Sequence, residues 1–566
     1  MIEPPRSQQF DDVYFSAEDG LAETGHVFVE GNGLPGRWQG RDRFTIAETG
    51  FGTGLNFLAA WKLFDETAAP GAFLDFISVE KYPLSVGQIR TGLAHWAPQL
   101  GRYLDRFLGQ YPLRTAGFHR IVFDGRVALT LIFDDANDAL PQINAQVDAW
   151  FLDGFTPAKN PLMWTQSVFN EMARLSAPGA TFATFTAAGD VKRGLREAGF
   201  TVNKQRGFGR KRDMLAGFMP GENKATPRRS GRVAIIGGGL AGTSCACVLK
   251  QYGFTPVIYE KESALATGAS GNRLGLYNPR FTAFRGTESD FYAPAFAMAH
   301  RTFTAMKDID FNPCGALHLM MDDDKRKRFS RTVENWQWHS DHMRIVDAAD
   351  ASAIAGVKLD HDALYLPDSG SVSPQKLCHA YTKDTDVRLN TSADPATCDE
   401  EFVILAGGPA LLQQNLSLQT VRGQVSYPAP DERLRSLKTA LCYGGYLAPG
   451  ADGSFMLGST FQPWLSDIDV KEGDHADNVA KLAAAVPSLA GLSIDGGRAG
   501  LRTAAKDRFP VIGTLDNGRT FISTAHGSHG ILSSLIAAHL IADRLRGGPL
   551  CLPDRAANAL DPRRFS

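Results

Sequence analysis

The sequence predicts an α/β chain made of two independent units, and three observations carry that reading. A short apolar strand running into a glycine turn and then a helix occurs twice, at residues 44–64 and again at 232–253. Such a segment opens a doubly wound parallel sheet, with backbone N–H groups at the helix start facing a ligand. Between the two copies lies GENKATPRRSGR, residues 221–232, which is polar, basic and interrupted by Pro227, as a linker would be. All seven cysteines lie at or beyond Cys245, so composition changes across the same boundary. The expected organisation is one domain at residues 1–221, a linker at 222–231 and a second domain at 232–566.

The 566 residues carry 59 basic and 61 acidic side chains, a net charge of −2, and 43% are hydrophobic. Those values exclude a disordered chain, a collagen-like repeat and a coiled coil. Glycine, at 57 residues, is enriched without a G-X-Y period, so the excess belongs in turns and ligand loops. The opening MIEPPRSQQFDD lacks the apolar core of a secretory signal, and no apolar run reaches the roughly 18 residues of a membrane span. ILSSLIAAHLI, from Ile531, is short and reads as a buried helix. Seven cysteines without a C-x-x-C pair imply neither a zinc site nor a disulfide framework. A cytoplasmic chain with no metal is expected.

In the N-terminal part, residues 44–49 form the first strand, with Glu48 among the expected cofactor contacts, and Gly50, Gly52 and Gly54 crowd the turn before an amphipathic helix at 55–64. A second strand at 73–79 ends in Glu80, placed to accept both ribose hydroxyls of an adenosine cofactor. A third, at 128–133, ends in Asp134 and Asp135, where a carboxylate can accept from an adenine amino group. A fourth, at 149–152, ends in Asp153, a fifth covers 181–186, and residues 202–218 read as a hairpin around GFGRKRD. A nicotinamide enzyme would share the glycine turn and the acid but not the basic antiparallel hairpin. The series resembles a class I (Rossmann-like) S-adenosylmethionine (SAM) methyltransferase. DGFTPAKNPLMW, from Asp153, resembles the acidic-Pro-Pro-aromatic loop of methyltransferases acting on amino nitrogen. Asp153 then accepts the N–H of a neutral amine; the plainer reading is a cap on the following helix.

In the C-terminal part, the strand at 232–236 feeds Gly237, Gly239 and Gly242 in a G-x-G-x-x-G turn, and the strand at 255–259 ends in Glu260, followed by Lys261. Strand, turn, helix, strand and acid make a full dinucleotide unit. GASGNRLG, holding Ala269, Ser270 and Asn272, would pass small residues under an isoalloxazine ring. EFVILAGGPA, from Glu401, resembles a second dinucleotide contact of flavoproteins. LRTAAKDRFPVIG, from Leu501, and AHGSHGI, holding Gly527, Gly530 and Ile531, resemble the closing motifs of the D-amino-acid-oxidase and glycine-oxidase superfamily. That resemblance implies FAD, a mixed α+β substrate subdomain and a carboxylate-binding role for Arg502; a surface ion pair is the alternative for that arginine. His526 and His529 either take part in chemistry or only shape the flavin pocket.

Together the halves resemble the family of bifunctional tRNA 5-methylaminomethyl-2-thiouridine biosynthesis proteins. The match runs through the opening block DVYFSAEDGLAETGHVFVEGNGLP (residues 12–35), AETGFGTGLNFL, the Asp153 loop, FGRKRDML, GGGLAGTS, GASGNRLG and VRGQV. The opening block has no generic meaning. Departures are His529, where an arginine is expected in H-G-S-R-G, and Leu276-Tyr277-Asn278-Pro279 in place of an L-Y-P run. The resemblance implies a tRNA substrate modified at wobble uridine 34. FAD-dependent removal of a carboxymethyl group would be followed by SAM-dependent N-methylation, in a monomer with no obligate protein partner. Residues 204–232 carry nine Lys/Arg against two Asp/Glu, and Lys204, Arg206, Arg210, Lys211 and Arg212 are the expected RNA contacts, with Phe208 available to stack on a base. A solvated basic turn is the plainer reading of that cluster. Trp336 and Trp338 are also stacking candidates, with core packing as the alternative. An oxidase of free N-alkyl amino acids fused to a small-molecule methyltransferase, and an RNA-binding scaffold with decayed sites, are the competing functions.

Overall fold

The structure is a computed structural model and describes residues 5–565 other than 8, 17–18, 223–226, 415 and 517. Part of the expected linker, residues 223–226, and two positions of the opening block, 17–18, therefore lie outside the described residues. The chain divides into two compact units, Met1–Arg229 with Arg546–Asp554, and Ser230–Leu545 with Arg555–Ser566.

The first unit is built on an eight-stranded sheet. Its strands run in the order Gly117–Phe123, Val127–Phe133, Phe73–Val79, Arg43–Glu48, Val147–Phe151, Ser176–Thr184, Asp213–Phe218 and Thr201–Arg206. The inner strands are parallel and the pairs towards each edge antiparallel. FLDFISV is buried at every position, as a strand covered on both faces must be. Helix Leu55–Thr67 turns Phe57, Trp61 and Phe64 into that core, with the Trp61 ring 4.3 Å from Phe123. Strand order reverses between Arg43–Glu48 and Val147–Phe151, which opens a crevice at their carboxyl ends.

Strand Gly117–Phe123 is not anticipated by the hydrophobic pattern, because His119 and Arg120 interrupt it. Both side chains are nonetheless buried. The His119 ring meets the Thr115 carbonyl at 2.7 Å, and Arg120 Nη2 donates to the Pro549 carbonyl at 2.7 Å. Pro549 belongs to a segment expected in the second domain. Residues 546–554 instead complete the first unit, so the second is not continuous from 232 to 566. The cause is Arg546, whose guanidinium forks onto Asp75 at 2.7 and 2.8 Å and lies 4.9 Å from the Phe73 ring. Both partners are at most 2% exposed. The expected linker is also partly ordered against this unit: Arg228 donates to the Gly71 carbonyl at 2.8 Å and covers Phe73.

The second unit has a six-stranded sheet in the order Asp386–Arg388, Thr255–Tyr259, Arg232–Ile236, Phe402–Leu405, Thr520–Thr524 and Val511–Thr514, parallel except for its last pair. A second, eight-stranded sheet contains the long antiparallel pair Leu418–Pro428 and Ile494–Ala505. In that pair the VRGQV run buries Arg422 completely, with Nη1 on Asp474 at 2.5 Å and on Gln462 at 2.5 Å. Trp336 donates to the Thr282 carbonyl at 3.0 Å, and Trp338 stacks on Phe296 with ring centres 5.8 Å apart. Both are core residues rather than stacking platforms. All seven cysteines are unbridged. Among the described residues no helix is long and apolar enough to cross a membrane.

Removing one partner from a buried ion pair leaves the other charge unsolvated. Arg546→Met should therefore destabilise the first unit by about 3–5 kcal/mol, read as an earlier urea transition in tryptophan fluorescence, with the second unit's transition unchanged.

Candidate active sites

In the first unit a cavity of about 560 Å³ opens at the crevice and is lined by Gly50 and Gly52 of the glycine turn, Glu80, Asp135, Asp153 and Lys211, whereas Gly54 packs against Phe51 and Phe107 instead. Tyr14, Phe15, Glu23, Thr24 and Phe28 complete its wall, so the opening block that has no generic meaning forms one side of the site. Asp12 ties it to the Asp153 loop, accepting from the Thr156 N–H at 3.1 Å and its hydroxyl at 2.9 Å.

Glu80 is fixed from both sides, Oε2 accepting from Gly52 N at 2.9 Å and Oε1 from Tyr82 N at 2.8 Å. Burial pushes its carboxyl above the usual range despite those bonds. Asp135 accepts from Lys81 Nζ at 2.9 Å and caps the short helix that follows. Burial works against its ionisation, but Lys81 and Asn137 outweigh it and hold the carboxyl low. Asp153 caps no helix: Thr165 caps the next one, while Asp153 accepts from its own neighbour, Gly154 N, at 2.8 Å. Desolvation raises its carboxyl to about 7. Glu48, expected among the cofactor contacts, does not line the cavity. It is 1% exposed, bonded to Ser78 at 2.6 Å and Asn56 at 2.9 Å, and burial together with the Asp153 charge raises it to about 8.

The basic hairpin is more paired than its sequence implies. Lys204 meets Asp213 at 2.8 Å, and Lys211 meets Glu23 at 3.0 Å with its Nζ 4.5 Å from the Phe185 ring. Lys211 therefore belongs to the cavity wall. Arg206, Arg210 and Arg212 are exposed, and Phe208 is half-buried against the core.

In the second unit the glycine turn is dictated by close approach. A Cβ on Gly242 would overlap the Gly237 carbonyl oxygen, and Gly237 itself holds φ +119°. Glu260 Oε2 accepts from Gly238 N at 2.6 Å, which sets the acid against the turn, whereas Lys261 is exposed and pairs with Glu262. Ala269–Gly271 forms one turn, with Ser270 Oγ accepting from Leu240 N at 3.0 Å. Arg498 holds that turn, donating to Asn272 Oδ1 at 3.1 Å and to the Thr267 carbonyl at 2.7 Å. Arg498 escapes motif reading, yet it lies four residues before Arg502 on one strand, hence on the same face.

Arg502 is half-buried, lies over Gly423 and donates to Ser459 Oγ at 2.9 Å. Among the described residues no carboxylate pairs with it, which removes the surface ion-pair reading; desolvation lowers its pKa. His526 is held between Ser523 at 3.1 Å and Ser533 at 2.9 Å. His529 hydrogen-bonds the Asn278 backbone, so the two departures from the family pattern meet in space. Burial drives both imidazoles down to about 4, and they are neutral at pH 7. Gly527 N donates to the Thr503 carbonyl at 3.0 Å, Gly530 opens the terminal long helix, and Ile531 packs on Gly275.

The two sites define a methyltransferase joined to a flavin-dependent oxidoreductase. A family described as S-adenosyl-L-methionine-dependent methyltransferase matches residues 98–220, and one described as FAD dependent oxidoreductase matches 232–544. The tRNA 5-methylaminomethyl-2-thiouridine biosynthesis bifunctional protein MnmC of Chromohalobacter salexigens is 38% identical, the match covering 99% of this chain and 91% of the relative. That of Chromobacterium violaceum is 36% identical over 99% and 96%. The chain belongs to the MnmC family. Among solved structures, L-proline dehydrogenase from P. horikoshii aligns with TM-score 0.51 and 16% identity over 60% of this chain and 98% of that one, a likeness of fold alone.

SAM and FAD are the cofactors of the two units, and the residues present fit them. The first cavity offers an anchored, half-buried acid at the glycine turn, and in the second unit Gly237 and Gly242 leave no room for a Cβ against the neighbouring backbone, the tight strand-to-helix packing that a dinucleotide such as FAD would need there. Gly242→Ala should give protein that purifies without flavin absorbance near 450 nm (about that wavelength for any bound flavin) while SAM binding by calorimetry is retained.

Proposed function

We propose that this chain modifies the wobble uridine of tRNA in two steps, a reading supported by its likeness to bifunctional proteins of tRNA 5-methylaminomethyl-2-thiouridine biosynthesis. The oxidoreductase unit removes a carboxymethyl group from a carboxymethylaminomethyl uridine, and the methyltransferase unit then methylates the resulting primary amine. The observation that carries the first step is Arg502, a half-buried, desolvated guanidinium with no carboxylate against it among the described residues. A desolvated cation is stable only when something anionic completes it, and an N-substituted glycine presents a carboxylate of the right shape for a guanidinium fork.

When bound, FAD supplies the two-electron acceptor and SAM the electrophilic methyl group. The chain's residues do the rest. Arg502, set by Ser459, holds the carboxylate and so positions the glycyl C–H bond. Neutral His526 and His529 leave Arg502 as the charge that the carboxylate sees first. Oxidation across C–N followed by hydrolysis releases glyoxylate and leaves an aminomethyl uridine. At the other site Asp153 accepts an N–H of that amine and keeps its lone pair towards the methyl group. Exposed Arg206, Arg210 and Arg212, with Lys204, supply phosphate contacts. Lys211 works inside the cavity instead. The cofactor contacts are Gly50, Gly52, Glu80 and Asp135 for SAM, and Gly237, Gly239, Gly242, Glu260, Ala269, Ser270, Asn272, Gly527, Gly530 and Ile531 for FAD. The protein acts in the cytoplasm as a monomer with no obligate protein partner.

Nucleoside mass spectrometry of tRNA bearing carboxymethylaminomethyl uridine tests this reading. Incubation without SAM should remove the carboxymethyl mass, and addition of SAM should then add one methyl. An unchanged nucleoside from flavin-loaded protein would favour a small-molecule oxidase. Arg502→Ala should stop the first reaction while sparing methylation of an aminomethyl substrate, and Asp153→Ala should do the reverse, each by at least about a hundredfold in kcat/KM. Loss of both activities from one folded variant would refute the assignment of separate sites.

A further inference from the structure

Asn56 lies at the first turn of helix Leu55–Thr67, where its side chain reaches the cavity wall, and Glu48 lies behind it, out of the cavity. Its amide nitrogen donates to Asp153 Oδ2 at 2.8 Å and to Glu48 Oε1 at 2.9 Å. Its amide oxygen accepts from the Thr24 hydroxyl at 2.7 Å, which fixes the orientation with both hydrogens towards the carboxyl groups. The remaining oxygens are also engaged, Glu48 Oε2 with Ser78 Oγ at 2.6 Å and Asp153 Oδ1 with Gly154 N at 2.8 Å. One amide thus clamps two carboxyl groups, one facing substrate and one not.

We infer that Asn56 is a positioning residue for methyl transfer, which holds the Asp153 carboxylate towards the acceptor amine and ties it to Glu48 as a silent second carboxyl. This rests on the reading of Asp153 given above. Two buried carboxylates sharing one amide cannot both ionise cheaply, so the pair retains a proton near neutrality. The charges that bear on it are few. Glu80 faces Glu48 and raises it, Glu23 faces Asp153 and raises it, and Lys211 lowers Asp153. Glu48 is the member that keeps the proton, because Asp153 has the Gly154 N–H and the Lys211 cation in its favour. An uncharged Glu48 matters chemically: a second anion beside the site would favour the ammonium form of the acceptor, which has no lone pair to attack with.

The sign of each effect follows. The Asn56 bond lowers the Asp153 pKa, so deleting it raises that pKa. Methyl transfer needs the anion, so the acidic limb of the pH–rate profile moves to higher pH in Asn56→Ala. Below the limb a shift of one pH unit costs about tenfold in rate, and the loss should shrink at alkaline pH. Glu48→Gln, which imitates the protonated acid, should keep kcat within about threefold of wild type at pH 7 and leave the acidic limb in place. A readout without substrate is the infrared band of protonated carboxylic acid in the whole protein at pH 7, expected in wild type and diminished in Glu48→Gln, the remainder belonging to Asp153 at about 7. The idea is overturned if Asn56→Ala lowers the rate equally at every pH, if the band is absent or is undiminished in Glu48→Gln, or if Glu48→Gln is as inactive as Asp153→Ala. Should Asp153→Ala itself retain methyl transfer, the reading of Asp153 fails instead, and with it the premise.

Discussion

A parallel strand buried on both faces has room for a carboxyl group without a buried cation against it at one place, the carboxyl end where the ladder stops and a helix begins; in mid-strand, Asp75 is held by the Arg546 guanidinium. The first unit obeys that constraint four times: Glu48, Glu80, Asp135 and Asp153 all follow or close an inner strand, and three of them border the cavity. Their desolvation is the source of the chemistry. Water would hold such groups near their ordinary pKa values, whereas burial moves Asp153 to about 7 and Glu48 to about 8, where protonation is poised. The second unit applies the opposite sign. Arg502 has no carboxylate against it among the described residues, and the adjacent imidazoles are driven neutral by burial, His529 also by the Arg280 and Arg502 charges, so what charge bears on that imidazole is cationic.

The strand–turn–helix units were legible because their chemistry is local. Gly242 and Gly237 must be glycine for steric reasons that a short motif records, and Glu80 and Glu260 follow by spacing alone. What stayed illegible is what depends on distant partners. Strand Gly117–Phe123 hides behind Arg120, whose acceptor is the carbonyl of Pro549, more than 400 positions away. Arg498 serves a loop over 200 residues earlier in the chain. The apparent basic cluster over-counted, since Lys204, Lys211 and Arg228 each have partners that a charge count cannot see. Glu48 was misplaced for a subtler reason: the end of a strand and the wall of the site are one residue apart, and only Thr49 onward faces the cavity.

The opening block shows the same limit from the other side. Family resemblance marks it, and no periodicity explains it, because its job is to be a wall. Asp19 caps a single helical turn and accepts from Trp96 Nε1 at 3.2 Å, Asp12 grips the Asp153 loop, and Phe28 and Tyr14 face inward. A segment that contributes one contact each to many elements has no regular pattern to display.

The segment at residues 546–554 bears on how the molecule is made. Translation delivers the first 229 residues long before Arg546, and until then Asp75, a carboxylate in an apolar strand, has the nearby charge of Arg228 but lacks the guanidinium fork that holds both its oxygens in the finished sheet. The first unit is therefore synthesised first but finished last. Its sheet waits on the ribosome for a residue that arrives only when the whole oxidoreductase core has emerged, so a nascent chain interrupted anywhere in between carries an incomplete methyltransferase.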